Sequence, residues 1–219
     1  MKSKLMLFFL FLFVIFLVPA RCAYAFIVIN EFLSDPPPEM LGDANRDGTR
    51  SSADDEFIEL LNWDNSEISL AGWYIKDSTL TRHIFDVGSI LSPYECIVIF
   101  GGGAPIGFDV NVGTASSGTL SLNNSGDAIR LFDVNDKLID AVLYGGEGNQ
   151  DQSLSRYPDG AGNFQLHSSI PDSGGILYSA GRKTNGQPFS NPVIPEPSSF
   201  VLFGLGIACK FLKRSRRKE

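Results

Sequence analysis

The stretch from Asn30 to Asn62, NEFLSDPPPEMLGDANRDGTRSSADDEFIELLN, narrows the folds open to this chain more than any other. Two short apolar runs, residues 26–33 and 56–62, are each bounded by chain breakers and read as strands. Pro36-Pro37-Pro38 ends the first run. Between the runs lies an acidic loop containing Asp43-x-Asn45-x-Asp47-Gly48, with Asp54 at the twelfth place, which is the oxygen-ligand spacing of a calcium loop. The expectation is two edges of a β-sandwich joined by an ion-binding loop. Asp43, Asn45 and Asp47 would offer side-chain oxygens, Thr49 its carbonyl, Ser51 a water contact and Asp54 the far carboxylate, around a turn made by Gly48. Asp54 stands where a longer bidentate Glu is usual, and Asp55 or Glu56 could take its place. The bland alternative is a solvated acidic turn, since Asp, Asn and Gly are ordinary turn residues. Five acids (Asp43, Asp47, Asp54, Asp55, Glu56) crowd this region and repel one another without a cation. The expectation is therefore a structural calcium ion, weakly bound, that pins the first two strands.

The two ends address the chain. Residues 1–25 run from Lys2 and Lys4 through an apolar stretch to Pro19 and Ala23-Tyr24-Ala25, the pattern of a secretory signal cut after Ala25 by signal peptidase. An uncleaved anchor is the alternative; for a lipoprotein at Cys22, Pro19-Ala20-Arg21 is a poor lipidation box. At the other end Pro195-Glu196-Pro197 precedes an apolar run, 200–212, and then Lys213-Arg214-Ser215-Arg216-Arg217-Lys218. The run is shorter than the roughly 20 residues of a membrane helix. It contains Lys210, whose stem can snorkel, and the basic tail stays cytoplasmic by the positive-inside rule. A short transmembrane helix holding the chain in the membrane before processing is expected.

Those three parts in that order resemble the PEP-CTERM sorting signal of Gram-negative bacteria. The resemblance implies recognition by an exosortase, a membrane cysteine transpeptidase that cuts near Pro195, Glu196 and Pro197. The protein would be transiently anchored in the inner membrane, then released or transferred to the cell surface or extracellular matrix. Family members are linked with exopolysaccharide and biofilm, so an exopolysaccharide or other surface polymer is the implied partner.

What remains, residues 26–189 followed by a Ser/Pro linker at 190–194, suits one domain with its own core. Residues 26–195 hold 9 Lys+Arg against 23 Asp+Glu, a net −14 that the whole-chain value of −7 understates. Such a surface repels phosphate polymers and excludes nucleic acid as a partner; it suits divalent cations as bridges. Cys96 is the one cysteine outside the two signals and sits in an apolar run, where a buried inert thiol is expected.

Further short strands are expected at 70–77, 82–87, 95–100, 106–112, 128–132 and 137–144, with a turn at 89–93, a plain turn at Gly101-Gly102-Gly103 and a loop-rich region from 145 to 191. Residues 95–100 form a near-continuous apolar strand of the kind covered on both faces, whereas 127–144 alternates as a half-exposed antiparallel pair does. Regular short strands, no helical period and 22 Gly predict an all-β sandwich.

Five phrases in order resemble the lamin tail domain: Ile29-Asn30-Glu31-Phe32-Leu33, Asp55 to Asn62 (DEFIELLN), Leu70-Ala71-Gly72-Trp73, Leu122-x-Asn124-x-Gly126-Asp127 and Ser153-Leu154-Ser155-Arg156. The resemblance spans residues 26–164. It implies an immunoglobulin-like β-sandwich with Asn30-Glu31 and residues 55–59 as structural marks of the first strands, Trp73 in the core and no shared catalytic residues. The calcium-like loop departs from the nuclear lamin version, so lamin biology does not transfer.

His83 and His167 are the only histidines and lie in no hydrolase or zinc motif, so both are expected to be structural. The function expected is a non-enzymatic surface or matrix protein, structural or adhesive. A carbohydrate-binding module using Trp63 and Trp73 is the alternative, which a buried Trp73 weakens. An unrecognised hydrolase around His83 or His167 ranks third.

Overall fold

A computed structural model of the chain describes residues 27–189. The secretory signal with Ala23 and Ala25, the linker at 190–194, and Pro195, Glu196 and Pro197 with the hydrophobic segment after them lie outside the described residues. No helix among the described residues is long and apolar enough to cross a membrane.

The chain forms strands β1 (Ile27–Leu33), β2 (Phe57–Asn62), β3 (Ile68–Ser69), β4 (Tyr74–Lys76), β5 (Thr81–Ile84), β6 (Ile90–Leu91), β7 (Cys96–Phe100), β8 (Asn111–Thr114), β9 (Asp127–Phe132), β10 (Leu138–Tyr144), β11 (Leu154–Tyr157) and β12 (Asn163–Leu166). One sheet runs β12-β11-β1-β2-β7-β8, the other β10-β9-β4-β5, with β3 and β6 as a separate pair. Pairing is antiparallel except between β7 and β8. The all-β sandwich is as expected, with differences in detail. β1 and β2 are the two central strands of the larger sheet, not edges. The turn expected at 89–93 contributes β6, the strand expected at 106–112 begins only at Asn111, and the loop-rich region supplies β11 and β12.

Side chains alternate across a strand, and in the larger sheet both faces are buried. Inward, Ile27, Ile29, Phe32, Ile58, Leu60 and Ile99 meet Ile75, Ile129, Leu131 and Val142 of the smaller sheet. Outward, Leu33, Phe57, Val98 and Phe100 form one apolar cluster and Val28, Leu61 and Cys96 another. A third layer covers them: Ala44 from the acidic loop, Phe108 and Val110 from the β7–β8 connection, and Tyr178, Ala180 and Phe189 from the C-terminal strap. Every residue of β1 and β2 is therefore buried. This is why apolar residues stand on both faces of each strand, and why their polar residues, Asn30, Glu31, Glu59 and Asn62, are buried as well.

A bulge sets the first strand. Ile29 pairs with Leu60 and Glu31 with Glu59, so Asn30 is the extra residue. The inserted residue lets Ile29 and Phe32 both face inward while Glu31 faces the third layer.

Candidate functional site

The acidic loop starts at Pro36-Pro37-Pro38 and a short 3₁₀ turn, Glu39–Gly42. Arg50 folds back over it, donating from Nε to the Pro37 carbonyl (3.0 Å) and from its terminal nitrogen to the Pro36 carbonyl (2.6 Å). The loop is laced by backbone N–H groups donating to its own side chains. Gly48 donates to Asp43 Oδ2 (3.1 Å), Asp47 to Asn45 Oδ1 (2.9 Å) and Thr49 to Asp47 Oδ1 (2.9 Å). At its centre is Asp55, fully buried, whose two oxygens accept from Asn45 N–H (3.0 Å) and Ser51 N–H (2.7 Å). Burial raises the Asp55 carboxyl above its ordinary range, and the nearby Asp43 charge adds to this.

The glycine triplet after β7 is the wall against which this loop packs. A Cβ on Gly101 would strike the Ala53 carbonyl, one on Gly102 the Asp54 carboxylate, and one on Gly103 the side chains of Asn45 and Asp47. The cluster that reads as a plain turn is thus the backbone surface that gathers Asn45, Asp47 and Asp54. Asp47 Oδ2 also accepts from Ala104 N–H (3.1 Å).

Asp43 Oδ1 is buried and has no hydrogen-bond partner. A buried oxygen of this kind is costly unless something compensates it, and in a calcium loop the first residue offers such an oxygen to the ion. Asn45 and Asp47 retain further lone pairs. Ser51 Oγ instead caps Asp54 N–H (3.1 Å), and Thr49 is exposed. Asp55 and Glu56, the alternatives to Asp54, are engaged elsewhere. Glu56 Oε2 accepts from Leu122 N–H (3.2 Å), and burial pushes this carboxyl up to about 8. Among the described residues no three His, Cys, Asp or Glu side chains converge as a metal set. Of the residues expected as ligands, Asp43 keeps a buried oxygen without a partner, while Asn45, Asp47 and Asp54 pack against the Gly101–Gly103 backbone.

The recurring phrases carry structural roles. Asn30 donates from Nδ2 to Glu59 (2.9 Å) and Asp159 (3.2 Å) and accepts from Gly160 N–H (2.8 Å). Asp127 accepts from the N–H groups of Ser78 (3.0 Å), Ala128 (2.7 Å) and Asn123 (3.3 Å). Asn124 donates to Asp35 (2.7 Å), and a Cβ on Gly126 would meet the Tyr144 carbonyl. Arg156 donates to the Ile29 carbonyl at the bulge (2.7 Å) and pairs with Asp140 (3.1 Å), which accepts from Ile29 N–H (2.8 Å). That pair fastens β10 of the smaller sheet to β1 and β11 of the larger.

The family model described as Lamin Tail Domain matches residues 22–146. The chain belongs to the lamin tail domain family. A second family model, the PEP-CTERM protein-sorting motif, matches residues 193–218. The two matches together describe an exported protein processed at the membrane by an exosortase, and both families are of non-catalytic kinds. No curated protein matches the chain. The lamin-tail match ends just after β10, so β11, β12, the Ser153–Arg156 phrase and the strap lie beyond it.

Within this lamin tail domain the remaining residues singled out are dispersed. His83, on β5, meets the Thr114 carbonyl through Nδ1 (3.1 Å), lies edge-on to Phe85 and is lowered by burial. His167, in the turn after β12, is fully buried with Nδ1 at 3.0 Å from the Ile176 carbonyl. Trp73 is half-buried against the core, whereas Trp63 is 41 % exposed and packs edge-on to Tyr94. Cys96 is buried, and burial and Glu59 raise its thiol well above the usual range. The residues not legible beforehand as site components are the Gly101–Gly103 wall, which only packing brings to the loop, and Arg50, a loop residue whose side chain folds back onto the Pro36 and Pro37 carbonyls.

Proposed function

We infer that this is a non-enzymatic lamin tail domain displayed on the surface or in the matrix of a Gram-negative cell. Its role is structural or adhesive, with an exopolysaccharide or other polymer as partner, and calcium in the Asp43–Asp54 loop stiffens it. The observation that carries this reading is the sorting motif at residues 193–218 placed directly behind a closed sandwich. Signal peptidase acts at Ala25 and an exosortase near Pro195–Pro197. The acidic surface suits cation bridging to anionic polymers. The loop reading is supported by the orphaned Asp43 Oδ1, in the loop whose Asn45, Asp47 and Asp54 side chains pack on the Gly101–Gly103 wall. A bound ion there would supply charge compensation and a fixed loop shape; this chain's own residues contribute the oxygens and the glycine wall. A carbohydrate-binding role through the aromatic rings is weakened by Trp73, whose ring packs on the core.

The test is to express the full chain in a host that carries an exosortase and compare it with Pro195→Ala/Pro197→Ala. The natural chain is expected to lose its C-terminal signal and reach the surface or matrix fraction, while the variant stays in the membrane. Identical fractionation of the two would sink the reading.

A further inference from the structure

The strap, residues 177–189, lies beyond the lamin-tail match and crosses the outer face of the larger sheet. Buried acids hold it there. Glu31 accepts the Ser179 N–H (2.8 Å) and hydroxyl (2.6 Å), Glu59 accepts the Gly181 N–H (2.8 Å), and Thr184 N–H meets Asp159 at 3.4 Å. Arg182 pairs with Asp109 at 2.8 Å. Phe189 ends the strap, packed with Val110 against Val28, Leu61 and Cys96. Glu31 and Glu59 have no exposed surface, so lifting the strap would take from two buried carboxyls the donors that Ser179 and Gly181 supply. The strap is thereby fixed to the sheet.

Pro195 is the sixth residue after Phe189, so the sorting motif begins within about 20 Å of Phe189. Phe189 also lines a cavity of about 350 Å³ with Glu95, Cys96, Phe108, Asp109 and Asn111. Leu80, in the β4–β5 turn, belongs to the smaller sheet at the other end of the strands. It lies about 10 Å deeper by the sheet spacing and most of a strand length away. A tether this short holds one face toward whatever binds the motif, at a high effective concentration.

We propose that the face around Phe189, rimmed by Glu95, Asp109 and Asn111, is the surface that this domain turns to the membrane-embedded exosortase. The strap, not the acidic loop between β1 and β2, sets that orientation. The proposal rests on the reading of the chain as an exosortase substrate.

The test uses the full chain in exosortase-bearing cells, with a photocrosslinking residue at Asn111 or at Leu80, both exposed. Each is made with and without a Gly/Ser spacer of about twenty residues after Phe189, long enough to free the orientation. The precursor is expected to capture the exosortase several-fold more from Asn111 than from Leu80, and the spacer to remove the difference. Equal capture from the two positions without the spacer overturns the proposal, as does a difference that the spacer leaves unchanged. Loss of the C-terminal signal is followed by mass in the same samples. Shortening with equal capture sinks the face assignment alone; no shortening at all sinks the exosortase reading and the proposal with it.

Discussion

Glu31 and Glu59 are direct cross-strand partners on β1 and β2, and both are completely buried. Burial, and then the neighbouring Glu31 carboxyl, hold Glu59 well above the usual carboxylate range. The groups that donate to the pair are Asn30 at the bulge, Ser153 (2.6 Å to Glu31), Ser179 and Gly181. Three of the four come from residues beyond the lamin-tail match, so the central strands depend on the chain's C-terminal third.

A fragment ending at residue 146 should therefore fail to fold. It lacks β11, β12 and the strap, leaving Val28, Leu33, Phe57, Leu61, Val98 and Phe100 without the cover of Tyr178, Ala180 and Phe189, Glu31 without Ser153 and Ser179, and Glu59 with Asn30 but without Gly181. Urea unfolding of residues 27–189 is expected to be cooperative, and that of 27–146 to show no transition. A cooperative transition in the shorter fragment would contradict the three-layer account.

Stability should fall as pH rises. Glu59 has a folded pKa above its unfolded value near 4.5, so the folded state keeps a proton that the unfolded chain has lost. The stabilisation is fully present below the unfolded value and is lost as pH rises through the raised folded one, at about 1.4 kcal/mol per pH unit in that window. Glu59→Gln, which keeps one oxygen for the Gly181 N–H, should flatten the slope. Parallel slopes for the two proteins in urea titrations from about pH 5 to 9 would count against it.

Calcium should raise the unfolding midpoint of the domain. An ion that binds only the folded state adds about 2.7 kcal/mol at a hundred times its dissociation constant, a shift of several degrees for a domain of this size. Asp43→Asn preserves an acceptor for Gly48 N–H but removes the carboxylate charge, and is expected to lose most of the shift. An undiminished shift in that variant would place the ion elsewhere; no shift in the natural chain would make the loop acidic surface.

Gly103→Ala should disturb the loop from outside it. Gly103 has φ of +72° and its Cβ would collide with Asn45 and Asp47. A cost of roughly 1–3 kcal/mol is expected, together with a weakened calcium response. Thermal scans with millimolar calcium and with chelator read both; a variant equal to the natural chain in both would remove the glycine wall from the site.

How much of this was open to sequence reasoning depended on how local the cause was. The first strand around Ile29–Leu33, the apolar runs of β2 and β7 and the hairpin of β9 and β10 carry their signals within a few residues, and their expected bounds match the observed ones to within two. The stretch that holds β11 and β12, each four residues long, reads as loop. Their register depends on pairing with β1 and with each other. The acidic spacing of Asp43, Asn45, Asp47 and Asp54 was legible, whereas the engagement of Asp55 with the backbone and the orphaning of Asp43 Oδ1 are matters of packing.

The sequence alone determined the class of fold, the order of its principal strands and the sorting motif, because alternation, chain breakers and short motifs act over a few neighbouring residues. Tertiary structure decided which of these strands are central, that the larger sheet is buried on both faces, and that residues 177–189 close the outer one. The reason is physical. Glu31 and Ser179 are 148 residues apart in the chain, and no local pattern announces that a buried carboxylate will find its donors there.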